Sequence, residues 1–223
     1  MRTRRPIGRL HVITDTTVQQ RYSAAQLAAL AIEGGADTIQ YRSKAIDVRA
    51  LIAEATTVRD VCVGAGVLFL VNDRVDVCLA VDADGVHLGR EDMPLDVARR
   101  ILGPDRIIGG TIRGVEHLIE AESLGADYVG LGPIFGTTSK HVALAPLGLD
   151  AVRAVVAAAH IPIIGIAGIT LDNASSVIEA GADGLAVIGA VCAADDVRAA
   201  AGAMVRAIAA GDRARSAHER NGT

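Results

Sequence analysis

The chain has 223 residues, 22 Lys and Arg against 26 Asp and Glu, and a formal net charge of −4. With 51% hydrophobic residues it is not a disordered chain. With only 2% aromatics and an acidic balance, it lacks the basic stripe and stacking platforms of a nucleic-acid binder.

The N-terminus, Met-Arg-Thr-Arg-Arg-Pro, is basic but runs directly into a short apolar strand, so it does not read as a signal peptide. In chain order, apolar runs predict strands at 10–14, 38–41, 67–71, 85–88, 107–110, 128–131, 163–166 and 184–188. Several are apolar without alternation, as strands buried on both faces are. Alanine-rich stretches of helical period lie between them at 24–33, 48–65, 95–101, 115–123, 149–158, 172–180 and 195–209, with a weaker crossover at 74–80. Three helix-to-strand joints share one phrase, Gly34-Gly35-Ala36-Asp37, Gly125-Ala126-Asp127 and Gly181-Ala182-Asp183. A glycine past a helix can take the left-handed conformation that ends it, and a repeated turn is the mark of a chain built from βα units.

Eight such units in about 220 residues predict a single-domain (β/α)8 TIM barrel over 10–211, with an N-terminal extension at 1–9 and a polar, frayed tail at 212–223. A doubly wound sheet is the alternative. It has little support, because no Gly-x-Gly-x-x-Gly opens a helix after the first strand. The apolar stretch 154–169 is broken by His160 and Pro162, which argues against a membrane span. Cys62, Cys78 and Cys192 have no paired spacing and read as buried thiols of a reducing compartment. A cytoplasmic protein is expected, and a homodimer is compatible with the sequence.

In a barrel the active site lies where strands end and βα loops begin. After the second strand come Gln40, Tyr41, Arg42, Ser43 and Lys44; in extended backbone Gln40, Arg42 and Lys44 point the same way. Asn72 and Asp73 follow the third strand, Asp92 the fourth and Thr137, Thr138, Ser139 and Lys140 the sixth. Asp73 and Asp92 could hold one Mg²⁺, a hard ion that takes one or two carboxylates together with phosphate oxygens. The cations and Asn72 would then surround an anion of high charge density, such as a diphosphate. Taken singly these pieces also fit capping turns and solvated strand ends. Converging on one mouth, they point to chemistry. A second pole lies at Gly168, Ile188 and Gly189, where small residues let backbone N–H groups approach a phosphate, or simply let strand and helix pack closely.

These motifs, in this order, resemble thiamine phosphate synthase (thiamine-phosphate pyrophosphorylase) from about His11 to Ala190. The most specific stretches are Gln40-Tyr41-Arg42-Ser43-Lys44, Val71-Asn72-Asp73-Arg74-Val75-Asp76, Gly85-Val86-His87-Leu88-Gly89-Arg90-Glu91-Asp92-Met93-Pro94 and Gly132-Pro133-Ile134-Phe135-Gly136-Thr137-Thr138-Ser139-Lys140. The resemblance implies a Mg²⁺-dependent transfer. Hydroxymethylpyrimidine diphosphate loses pyrophosphate, and the nitrogen of thiazole phosphate attacks the freed methylene. It assigns Gln40, Tyr41, Arg42, Ser43, Lys44, Asn72, Thr111 and Lys140 to the pyrimidine diphosphate. Asp73 and Asp92 fall on the metal positions, and Thr137, Thr138, Ser139, Gly168, Ile188 and Gly189 on those of the thiazole phosphate. Lys140, Arg42 and Lys44 would stabilise the departing pyrophosphate. Only two of the 22 basic residues are lysine, Lys44 and Lys140, and both fall on diphosphate positions.

The chain departs from the family pattern at Tyr41, Arg90, Gly136, Ser139, Ala167 and Gly189, mostly around the thiazole pole. A tautomerase-like relative shares the barrel but not the metal acids. A non-catalytic barrel binding a phosphorylated metabolite is the remaining alternative. In every case the expected partners are phosphorylated small molecules, not nucleic acid or membrane.

Overall fold

The alternation read from the sequence becomes a closed ring of parallel strands. The structure, a computed structural model, describes residues 6–44, 47–136 and 144–221. The strands are β1 (Leu10–Thr14), β2 (Thr38–Tyr41), β3 (Leu68–Asn72), β4 (Gly85–Leu88), β5 (Ile107–Ile112), β6 (Tyr128–Leu131), β7 (Ile163–Ile166) and β8 (Gly184–Val187). Each pairs in parallel with the next, and β1 pairs with β8 to close a (β/α)8 barrel. The helices are α1 (Ala24–Glu33), α2 (Val48–Ala65), α3 (Val75–Ala80), α4 (Leu95–Leu102), α5 (Val115–Ser123), α6 (Gly148–Ala158), α7 (Leu171–Glu179), α8 (Gly189–Cys192) and α9 (Val197–Asn221). The crossover expected at 74–80 is the short helix α3. The four-residue helix α8 falls between two predicted elements.

Strand alternation separates two apolar clusters. Ile13, Leu68, Leu70, Ile107, Tyr128, Ile164 and Ala186 fill the barrel interior. Val12, Ile39, Phe69, Val86, Ile108, Val129 and Leu185 face outward into the layer of helices. The outer layer is the larger hydrophobic store, and it fixes which way each strand turns its polar residues.

The repeated joint phrase has a structural purpose at the face opposite the strand ends. Gly35, Gly125 and Gly181 all have positive φ, at 101°, 84° and 113°. The aspartates that follow reach sideways to the start of the preceding strand. Asp37 accepts the N–H of Leu10 at 2.9 Å, Asp127 that of Ile108 at 2.7 Å and Asp183 that of Ile163 at 2.8 Å. Asp84 does the same for Phe69 at 3.0 Å. Thus β1, β3, β5 and β7 each begin on a carboxylate supplied from just before β2, β4, β6 or β8. Arg9, just before β1, donates to the Asp183 carbonyl at 2.9 Å and pairs with Asp212 at 2.5 Å. Arg106, just before β5, reaches the Ala83 carbonyl and Asp82.

The tail expected to fray from 212 instead continues α9 to Asn221. Gly211 explains part of this: a Cβ there would come within 2.5 Å of the Ser175 carbonyl, so the glycine lets α9 lie close against α7. Asp212, one residue on, takes the Arg9 guanidinium. The polar residues that suggested fraying belong to a helix docked along one side.

Candidate active site

Polar residues gather at the C-terminal ends of β1 to β5. Gln40 faces inward and is 3% exposed. Two residues on, the Arg42 guanidinium meets Asp15, which follows β1. Asp15 also accepts the N–H and the hydroxyl of Thr17, at 2.9 and 2.6 Å. Lys44 stands exposed at the rim.

Tyr41 corrects an expectation. It lies in the outer cluster and donates its hydroxyl to Glu54 on α2 at 2.6 Å. The pleat that turns Gln40 inward turns Tyr41 away from the mouth, and burial followed by Glu54 pushes its phenol pKa far up. Its side chain braces a helix, with the hydroxyl turned to Glu54 rather than to the barrel interior. Ser43 follows Arg42 with its side chain half-buried.

At the end of β3, the Asn72 amide donates to Asp73 at 2.6 Å. Asp73 has φ 63°, a left-handed conformation, and its N–H donates to the His87 carbonyl of β4 at 2.8 Å. Asp92 lies beyond the same strand, with Oδ2 accepting the Gly89 N–H at 2.7 Å. Both metal candidates are therefore anchored to the backbone of β4 or its exit. This donor set, two carboxylates beside an amide on neighbouring strand ends, fits a hard cation that shares substrate phosphate oxygens. Thr111 faces inward from β5, 3.0 Å from His87 Nε2. His87, inside β4, is a hydrogen-bonded core histidine.

The second pole lies across the mouth. Ala167 and Gly168 follow β7 with φ 70° and 71°. At Gly168 a Cβ would meet the backbone of Phe135 and Gly136 at 2.6 Å, so the chain itself, crossing from β6, requires the glycine. Asn173 braces this turn, donating to the Gly168 carbonyl at 3.0 Å. Ile188 packs on the interior cluster and caps α8, whose first residue is Gly189. A Cβ at Gly189 would meet nothing within 4 Å. Thr137, Thr138, Ser139 and Lys140 lie outside the described residues.

Burial pushes the Cys62 thiol up to about 12 and the Cys192 thiol to about 11, away from the thiolate form that a nucleophile needs. His11 is fully buried, and burial lowers its pKa to about 4.

The family model described as thiamine monophosphate synthase matches residues 10–191. The chain belongs to this family. It is 50% identical over 193 residues to the thiamine-phosphate synthase of Chloroflexus aurantiacus, covering 86% of this chain and 89% of that one. The corresponding protein of Salinibacter ruber is also 50% identical, over 190 residues, with 85% and 84% covered. Among solved structures, thiamine phosphate pyrophosphorylase from Pyrococcus furiosus superposes with a TM-score of 0.83 at 41% identity, covering 91% of this chain and 96% of that one. The chain is an enzyme of this family, as the ordered motifs implied.

Sequence reasoning passed over two residues that organise the family's mouth in this chain. Asp15 holds Arg42, and Tyr128 bonds to His87. An acid on the strand end beside Gln40-Tyr41-Arg42 was the signal available for the first. For Tyr128, paired across 41 residues, the sequence carried none.

Proposed function

We propose that the chain condenses hydroxymethylpyrimidine diphosphate with thiazole phosphate, giving thiamine phosphate and pyrophosphate, with one Mg²⁺ in the site. The observation that carries this reading is the gathering of Gln40, Arg42, Asn72, Asp73, Asp92 and Thr111 at the ends of four successive strands, β2 to β5, in a chain of this family. Bound Mg²⁺ would supply charge neutralisation for the diphosphate oxygens, held by Asp73 and Asp92.

The C–O bond between the pyrimidine methylene and the diphosphate breaks, and its electron pair leaves with pyrophosphate. The thiazole nitrogen then closes a C–N bond with its own lone pair. No proton has to move, so the protein needs neither a nucleophile nor a general base. Its tasks are to stabilise developing negative charge and to align the acceptor. Arg42, docked on Asp15, offers its remaining N–H groups to the diphosphate, with Lys44 at the rim and Lys140, which follows β6 in the sequence, beside them in this role. Across the mouth, Gly168, Ile188 and Gly189 receive the thiazole phosphate, aided by Thr137, Thr138 and Ser139. Among the described residues, no helix is long and apolar enough to cross a membrane. We assign the enzyme to the cytoplasm, where its phosphorylated substrates are its partners.

The test is to mix both substrates with the protein and Mg²⁺ and to measure pyrophosphate and thiamine phosphate. Both products should appear in equal amounts and stop with excess EDTA. Undiminished turnover in EDTA would overturn the metal assignment. Binding without product would leave only a phosphate-binding barrel.

A further inference from the structure

Inside the barrel, a line of polar groups leads from the core to the mouth. The hydroxyl of Tyr128 on β6 lies 2.9 Å from His87 Nδ1 on β4. His87 Nε2 lies 3.0 Å from the hydroxyl of Thr111 on β5. Two glycines make the room. A Cβ at Gly109 would come within 2.2 Å of the Tyr128 ring, and one at Gly130 within 3.0 Å of the His87 ring. Those glycines are the strand partners of Tyr128 and Thr111, respectively.

The polarity of this line follows from its buried end. Tyr128 is 1% exposed, and among the described residues its hydroxyl has one hydrogen-bond partner, His87 Nδ1. Burial, and the neighbouring charge of Asp127, push the phenol pKa far up, so the O–H stays protonated. A fully buried O–H needs an acceptor, and Nδ1 is the one within reach. An imidazole that accepts at Nδ1 is neutral and carries its hydrogen on Nε2, which then donates to Thr111. One of the two lone pairs of the Thr111 oxygen is thereby taken, and its O–H is left to donate.

We propose that Tyr128 and His87 are positioning residues that preset Thr111 as a hydrogen-bond donor, so that the site selects an acceptor atom on the pyrimidine diphosphate at this point. This rests on the reading above that Thr111 meets that substrate. A hydroxyl that already accepts from His87 favours a ligand acceptor, because a ligand donor would have to use the remaining lone pair and would leave the Thr111 O–H without a partner. The opposite tautomer would leave the Tyr128 O–H buried and unpaired.

The test reads the tautomer directly. In ligand-free protein labelled with ¹⁵N-histidine, the His87 signals are assigned by their loss in His87→Gln. At neutral pH, long-range ¹H–¹⁵N correlation should show the hydrogen on Nε2 alone, and Tyr128→Phe should abolish that single-tautomer pattern. Kinetically, Tyr128→Phe should raise KM for the pyrimidine diphosphate about fivefold and leave KM for thiazole phosphate unchanged, the size expected for one hydrogen bond. Thr111→Val should reproduce the loss, and Thr111→Ser, which keeps a hydroxyl at this point, should lose less than Thr111→Val. A wild-type His87 carrying its hydrogen on Nδ1, or doubly protonated, overturns the proposal without any variant having to fold. So does a folded Tyr128→Phe protein with unaltered KM values. Failure of the wild-type protein to make thiamine phosphate would instead overturn the functional reading, which the tautomer measurement does not depend on.

Discussion

Asp15 grips Arg42 with one carboxylate oxygen and Thr17 with the other. The two side chains of the ion pair are 7% and 17% exposed, so the contact is largely shielded from solvent. Losing one partner of such a pair strands the other, at a cost of about 3–5 kcal/mol when burial is complete. Asp15→Ala should therefore destabilise by about 3 kcal/mol in urea unfolding. It should also raise KM for the pyrimidine diphosphate, because Arg42 loses its fixed orientation. Asp15→Asn, which can still accept a hydrogen bond, should fall between. An Asp15→Ala protein with wild-type stability and kinetics would show that Arg42 is oriented by something else.

Asp73 adopts φ 63°, a conformation open to Asp and Asn but costly for Ala. Asp73→Asn should melt within a degree or two of wild type while losing most activity, since the diphosphate charge is left uncompensated. Asp73→Ala should lose both activity and about 1–2 kcal/mol of stability. Equal melting temperatures for the two variants would contradict this account of the backbone.

Gly189 stands where the family pattern has Ser, and space around it is open. The bland explanation, that a side chain would strain packing, is therefore removed. Gly189→Ser should fold as well as wild type and lower KM for thiazole phosphate by about tenfold, the effect of one hydrogen bond to a charged group. KM for the pyrimidine diphosphate should not move. Varying each substrate separately, beside a melting curve, distinguishes a restored donor from an inert surface change.

Ala167 holds φ 70°, where the family pattern has glycine. The left-handed conformation costs a Cβ-bearing residue about 1–2 kcal/mol, and glycine costs about 0.4–1 kcal/mol in unfolded-chain entropy. Strain relief outweighs entropy, so Ala167→Gly should stabilise by about 0.5–1 kcal/mol in urea unfolding. A loss of stability would mean that neighbouring contacts reward the methyl group more than the backbone resents it.

Strands, helix order and the Gly-Ala-Asp turns were legible because each is written in local periodicity or a local phrase. Legibility fails where the determinant is distant or two-sided. Tyr41 sits inside the diphosphate motif by sequence, yet the pleat alternates and carries it to Glu54. Asp15 reads locally as a turn residue, and only closure of β1 beside β2 brings Arg42 to it. The polar residues after Gly211 look like a tail until α7 and Arg9 are placed against them.

The four aspartates that start the odd strands divide the barrel into quarters, each a βαβα unit closed within itself. Two arginines, Arg9 and Arg106, sit at equivalent places, each entering an odd strand and reaching back to the quarter before. The barrel thus carries a hidden twofold rhythm, with one half ending after Leu102 and the other opening at Ile107. A cut between them severs none of the four carboxylate links to strand starts, though it parts the ion pairs of Arg99 with Asp127 and of Arg9 with Asp212, and leaves two fragments, each with two intact quarters. Such fragments are natural partners for reassembly in trans, and their mouth would exist only when both are present: Arg42, Asp73 and Asp92 come with one, Gly168 and Gly189 with the other.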